Sequence, residues 1–180
     1  LLATVTNRVT KGVQLNYLGS DVTASVAWTN GTYSNTYNWL SGQVQVPFNN
    51  RHSVLASWTG ALSSNAMNTM ATPLLQNNSQ ITNLIYTYNS DYWSLAPYLQ
   101  MTVVPAAPEV GILGTSGSQG IALLGAYRFT PLIDGRTPRQ NVSLPVRLEY
   151  FNTWGNSGFS NNNLMFGPNS AAWSATLTPT

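Results

Sequence analysis

His52 is the single histidine of this 180-residue chain, and the chain contains no cysteine. A Ser-His-Asp relay would need His52 beside Asp21, Asp91 or Asp134, and its position between Arg51 and a strand fits a strand end better. With one histidine and five scattered acids, Asp21, Asp91, Glu109, Asp134 and Glu149, no metal site made of protein ligands is expected. No two of these acids lie close enough in sequence to suggest a glycosidase pair. Gly111, Gly114, Gly117 and Gly120 recur every third residue, but no Gly-Lys-Ser/Thr follows, so they read as a surface loop rather than a phosphate cradle. Arg136 and Arg139 flank Pro138 and read as a solvated turn with a local ion pair. The expectation is a protein without catalytic residues, metal or cofactor, and not an enzyme. One proton chemistry remains: histidine is the side chain that can change charge in the endosomal range, so His52 is a candidate acid sensor.

Aromatic side chains are the stronger signal, with six Trp and nine Tyr. Trp39, Trp93 and Trp154 fall beside loop segments, and with Phe159 they are the candidate interface or receptor residues. Trp28, Trp58 and Trp173 alternate with apolar strand residues and are assigned to the core. Charged residues make up only 7% of the chain, with seven basic and five acidic side chains. Asn, Gln, Ser and Thr stand in their place. Without a basic run, direct nucleic-acid binding is not expected. Three sequons, at Asn30, Asn77 and Asn141, are unsurprising in so Asn-rich a chain. No stretch reaches eighteen consecutive apolar residues, so no membrane span is expected. The first residues lack the basic leader and long apolar core of a signal peptide.

These residues must be carried by strands, because the dominant pattern has period two. Val13, Leu15 and Tyr17 share one face; Val22, Ala24, Val26 and Trp28 follow, ending at Asn30-Gly31. Val44, Val46 and Phe48 make a third strand and Val54 to Trp58 a fourth. Residues 63–90 read as a long connection with one short helix, from the spacing of Met67, Met70 and Leu74, which Pro73 limits to a few turns. Apolar runs resume at Leu99 to Val103, Ile121 to Phe129 and Val142 to Tyr150, with a last strand at Trp173 to Leu177. Long loops are expected at 63–90 and 105–120, and a C-terminal extension at 152–180. The fold class is all-β, a jelly-roll β-sandwich forming a single domain over residues 1–180.

The stretch from Val13 to Gly31 resembles two successive strands of picornavirus-like capsid proteins, most like the largest of them. Gln43 to Gly60, with Pro47-Phe48, a polar corner and Val54-Leu55, is similar to the strand pattern that follows in that family. There Pro47 would end the ladder and Phe48 would plug a barrel corner. The family's preceding strands are missing upstream, so the jelly roll is expected to be incomplete at its N-terminus. The resemblance implies a structural capsid protein of a small non-enveloped positive-strand RNA virus, located in the virion and, during assembly, in the host cytoplasm. Its partners would be other capsid proteins in an icosahedral shell, a host cell receptor and, indirectly, the packaged single-stranded RNA. Low charge would follow from a surface covered by neighbouring subunits. The second reading is a carbohydrate-binding β-sandwich such as a bacterial fimbrial adhesin domain.

Overall fold

The structure is a computed structural model and describes residues 11–31, 37–69, 74–129, 142–155 and 169–178. Period-two alternation becomes nine strands: β1 (Gly12–Leu18), β2 (Thr23–Thr29), β3 (Trp39–Asn49), β4 (His52–Ala61), β5 (Gln80–Asn89), β6 (Trp93–Val104), β7 (Ser116–Phe129), β8 (Val142–Gly155) and β9 (Ala171–Leu177). A four-residue helix, α1 (Leu74–Asn77), precedes β5. Each strand pairs antiparallel with its neighbours in sequence, giving one nine-stranded sheet in the order β1 to β9. The all-β expectation holds. The jelly-roll expectation does not fit this topology: a jelly roll folds strands by Greek-key connections into two packed sheets, and here a single sheet meanders. The sheet is open, with β1 and β9 at its two edges.

The two ends of the sheet differ because their connections do. At one end the β1–β2, β3–β4 and β5–β6 turns are tight and made by short polar side chains. Gly19 N–H donates to the Val22 carbonyl at 3.0 Å. The Asn49 carboxamide oxygen accepts from the Arg51 and His52 N–H groups at 2.9 and 3.0 Å, closing the β3–β4 hairpin. The Ser90 hydroxyl accepts the Trp93 N–H at 3.0 Å. At the other end the β4–β5 and β6–β7 connections are long and pack on each other. Val104, Ala107 and Ile112 form a small core there, with Leu74, Leu75 and Val110 against it.

Several expected boundaries change. Residues 63–90 are not all connection, since Gln80–Asn89 is a full strand. Both of its faces carry apolar residues, Ile81 and Ile85 on one and Leu84 and Tyr86 on the other, which hides the period. Residues 116–120 of the expected 105–120 loop begin β7, and Gly155 ends β8 within the expected extension. Pro47 does not end the ladder: β3 continues to Asn49, with a register shift between Pro47 and Asn49. Phe48 is exposed, not a corner plug. Pro97 sits inside β6 without a register shift; its missing N–H coincides with a gap in the β5–β6 pairing opposite Tyr86 and Thr87.

Candidate functional site

Antiparallel register puts directly opposed residues on the same face, so the pairing defines two faces across the whole sheet. One row joins Tyr17, Ala24, Val44, Ala56, Leu84, Leu99, Ile121, Tyr150 and Trp173. The next row toward the tight turns carries Val46 with Val54 and Leu123 with Leu148, and the row after it Leu95, Val146 and Leu177. Among the described strand residues this apolar face bears no Lys, Arg, Asp or Glu. The opposite face carries Gln14, Asn16, Ser25, Ser41, Gln43, Gln45, Ser57, Asn83, Gln100, Thr102, Ser116 and Ser118.

Burial is the reverse of what water would impose. The apolar face is the exposed one: Val13, Leu15, Leu99, Ile121 and Leu148 are all open, and Trp173 is 80% exposed. The opposite face holds buried polar residues, Gln100, Thr102, Ser116, Ser118 and Thr153, together with buried Trp39, Ile81, Val104 and Ala122, while its Gln14, Asn16, Gln43 and Gln45 are exposed. A water-soluble sheet buries its apolar face, because burial of apolar area is the main force for folding. A contiguous exposed apolar surface across nine strands marks an interaction with something apolar.

Aromatic residues stand at both limits of this face, and one further pair, Tyr150 with Trp173 at 4.5 Å, lies between them. Toward the tight turns Trp93 packs on Tyr127 at 4.7 Å between ring centroids, and Tyr127 on Phe129 at 4.7 Å edge-to-face. Toward the long connections stand Trp28, which packs on Tyr37 at 5.8 Å, and Trp154, which lies over Gly117. A Cβ on Gly117 would meet the Trp154 ring at 2.6 Å and the Thr102 carbonyl at 2.4 Å, so only glycine allows this approach. Trp154 is opposite Gly117 and Leu144 opposite Tyr127. The two aromatic levels are therefore about ten residues apart on β7. That is roughly 33 Å along the strand, or about 25 Å of height at a tilt of 35–45°. An apolar band of that height between aromatic girdles matches a bilayer-crossing β-sheet.

The polar face closes over at the loop end. Trp39 is buried at the start of β3, 5% exposed, with its indole N–H donating to Thr59 Oγ1 at 2.7 Å. The Asn78 carboxamide donates to the Asn65 and Leu74 carbonyls at 2.8 Å each, and its oxygen accepts the Asn65 N–H at 2.7 Å. Asn38 donates to the Ser63 carbonyl at 3.0 Å. Ser64 donates to Glu109 Oε1 at 2.5 Å and ties the two long connections together. That hydrogen bond, with one from its own backbone, lowers the Glu109 pKa from the ordinary carboxylate value. Farther along the sheet, Arg147 pairs with Glu149 at 2.5 Å, and Ser174 donates to the second Glu149 oxygen at 3.0 Å.

The expected site residues scatter. Trp39 is buried on the polar side, Trp93 lies at the turn-end aromatic level and Trp154 at the loop-end level; Phe159 lies outside the described residues. Two of the three core assignments reverse: Trp28 is 52% exposed and Trp173 more so, while Trp58 is half-buried. His52 begins β4, with Nδ1 at 2.5 Å from the Tyr86 hydroxyl and its ring 4.9 Å from Tyr88. Among the described residues no three His, Cys, Asp or Glu side chains converge on a possible metal site. Sequence reasoning missed the buried Gln, Ser and Thr residues, although they form the polar half of the same alternation.

A family model described as "Putative beta-barrel porin-2, OmpL-like" matches residues 1–180. The chain belongs to this family. No curated protein and no solved structure matches it. Family membership overturns the capsid resemblance, and with it the virion location, the icosahedral shell, the packaged RNA, the capsid partners and the host receptor. It gives no support to the adhesin reading either. The strand-turn-strand order that suggested a capsid is common to any antiparallel meander. Among the described residues no helix is long and apolar enough to cross a membrane. A strand crosses with about ten residues, only alternate ones apolar, and never shows the long apolar run that was sought.

Proposed function

We propose that this chain forms an arc of a bacterial outer-membrane β-barrel pore, with the apolar face against lipid and the polar face lining a water-filled lumen. The observation that carries the reading is the inverted sheet: apolar side chains exposed, amide and hydroxyl side chains turned the other way, over a band about 25 Å high. A closed barrel satisfies every backbone group in hydrocarbon, so the free edges of β1 and β9 must pair with further strands in the membrane. In bacterial barrels short turns face the periplasm and long loops face outward. On that rule the turns at Gly19, Asn49 and Ser90 are periplasmic, and the packed connections around Ile112 are external. The pore has no chemical step: its work is to offer a polar path through hydrocarbon and to restrict that path by side-chain size and charge.

The test uses the full protein. It should sediment with outer membranes, migrate as a compact band on cold SDS gels that shifts on boiling, and give stepwise conductance in planar bilayers. Recovery as a water-soluble monomer without detergent would sink the proposal.

A further inference from the structure

Which solutes would such a lumen favour? Channels that select ions do so with rings of like-charged side chains or aligned carbonyl dipoles. Among the described residues the charged side chains on the polar face are Arg128, Arg147 and Glu149. Arg128 is drawn to the turn end, where it donates to the Ser90 carbonyl at 3.1 Å. Arg147 and Glu149 hold each other two residues apart on β8, so their charges cancel where they stand. The uncharged polar side chains of the wall, such as Gln43, Gln45, Ser57 and Asn83, both donate and accept hydrogen bonds, and apolar Leu55, Ile81, Ile85 and Leu124 stand among them. The whole chain has the same character, with twelve charged side chains (seven basic and five acidic) in 180 residues.

We infer that the lumen wall is selective for neutral, hydroxyl-rich solutes, with small polyols and sugars as the substrate class, and discriminates little between cations and anions. A wall of amides and hydroxyls replaces the hydrogen bonds such a solute gives up to water, while it offers an ion of either sign no compensating charge. This inference rests on the pore reading.

Two measurements on the full protein test it together. In a planar bilayer under a KCl gradient, the cation-to-anion permeability ratio should lie within about twofold of one. In liposome swelling, neutral sugars should enter faster than gluconate or protonated amino sugars of similar size. Gln43→Glu and Gln43→Lys should move the ratio in opposite directions, toward cations and anions respectively. Glu149→Gln should move it toward anions by leaving Arg147 unbalanced. Conductance with about tenfold preference for one ion sign overturns the inference and leaves the pore standing. Protein that gives no conductance and no swelling overturns both.

Discussion

The two faces of this sheet are made by the same strands, residue by residue in alternation, yet they obey opposite rules. On one, Leu15, Leu99, Ile121 and Leu148 are exposed; on the other, Gln100, Thr102, Ser116 and Thr153 are buried. In a soluble β-sandwich the apolar partner of each pair would be the hidden one. The difference teaches that the solvent, not the alternation, decides which face turns inward. Hydrocarbon does not penalise exposed Leu, but it does penalise an unsatisfied polar group by several kcal/mol.

The comparison breaks most sharply with a charge. Leu123→Arg, near the middle of the apolar face, should cost roughly 2–4 kcal/mol of folding free energy in a bilayer, whereas Gln45→Arg on the polar face should cost little. Reversible folding into lipid vesicles, titrated with guanidinium, reads both. Equal effects at the two positions would mean that the faces are not distinguished by lipid.

The loop end gives the next effect. Asn78 is buried and makes three side-chain hydrogen bonds that hold the β4–β5 connection. Asn78→Ala leaves the Asn65 N–H and two carbonyls without these partners and should destabilise the connection by about 1–3 kcal/mol. Faster proteolytic cutting between residues 62 and 79, with the strands still protected, is the expected result. Gly117→Val should cost a comparable or smaller amount, about 1–3 kcal/mol, by driving Trp154 off the wall. A shift of Trp154 emission in a variant retaining only that tryptophan checks it.

The smallest effect concerns Glu109. Its pKa is lowered, chiefly by the Ser64 hydroxyl, so the stabilisation is fully present above the ordinary carboxylate pKa and is lost as pH falls through the lowered value. Protection of the two connections from protease should therefore weaken only in acid below the usual carboxylate range. Glu109→Gln should remove that acid dependence with little change at neutral pH. Because Glu109 is fully exposed, solvent screens the interaction and the effect should be slight.

Much of the strand pattern was legible. Val13 to Tyr17, Ala24 to Trp28, Val44 to Val46 and Trp173 to Leu177 stand in strands where their alternation puts them. Gln80–Asn89 was not legible, because Ile81 and Ile85 oppose Leu84 and Tyr86 and erase the period. The start of β7 was hidden by Gly117 and Gly120, which read as loop. Gly117 is there because Trp154 lies against it. The site was legible only as a list: Gln, Asn, Ser and Thr were seen as a replacement for charge, not as one continuous face.

By itself the sequence determined that the chain is built of strands, that most of them have an apolar and a polar side, and that charge is scarce. Period-two alternation carries that information because successive side chains point to opposite sides of an extended backbone. Only the tertiary structure decided that consecutive strands pair in one meander, that all the apolar sides fall on one surface, and that this surface is the open one. Those facts depend on the register between successive strands and on the medium each face meets, and neither is written in the local spacing of residues.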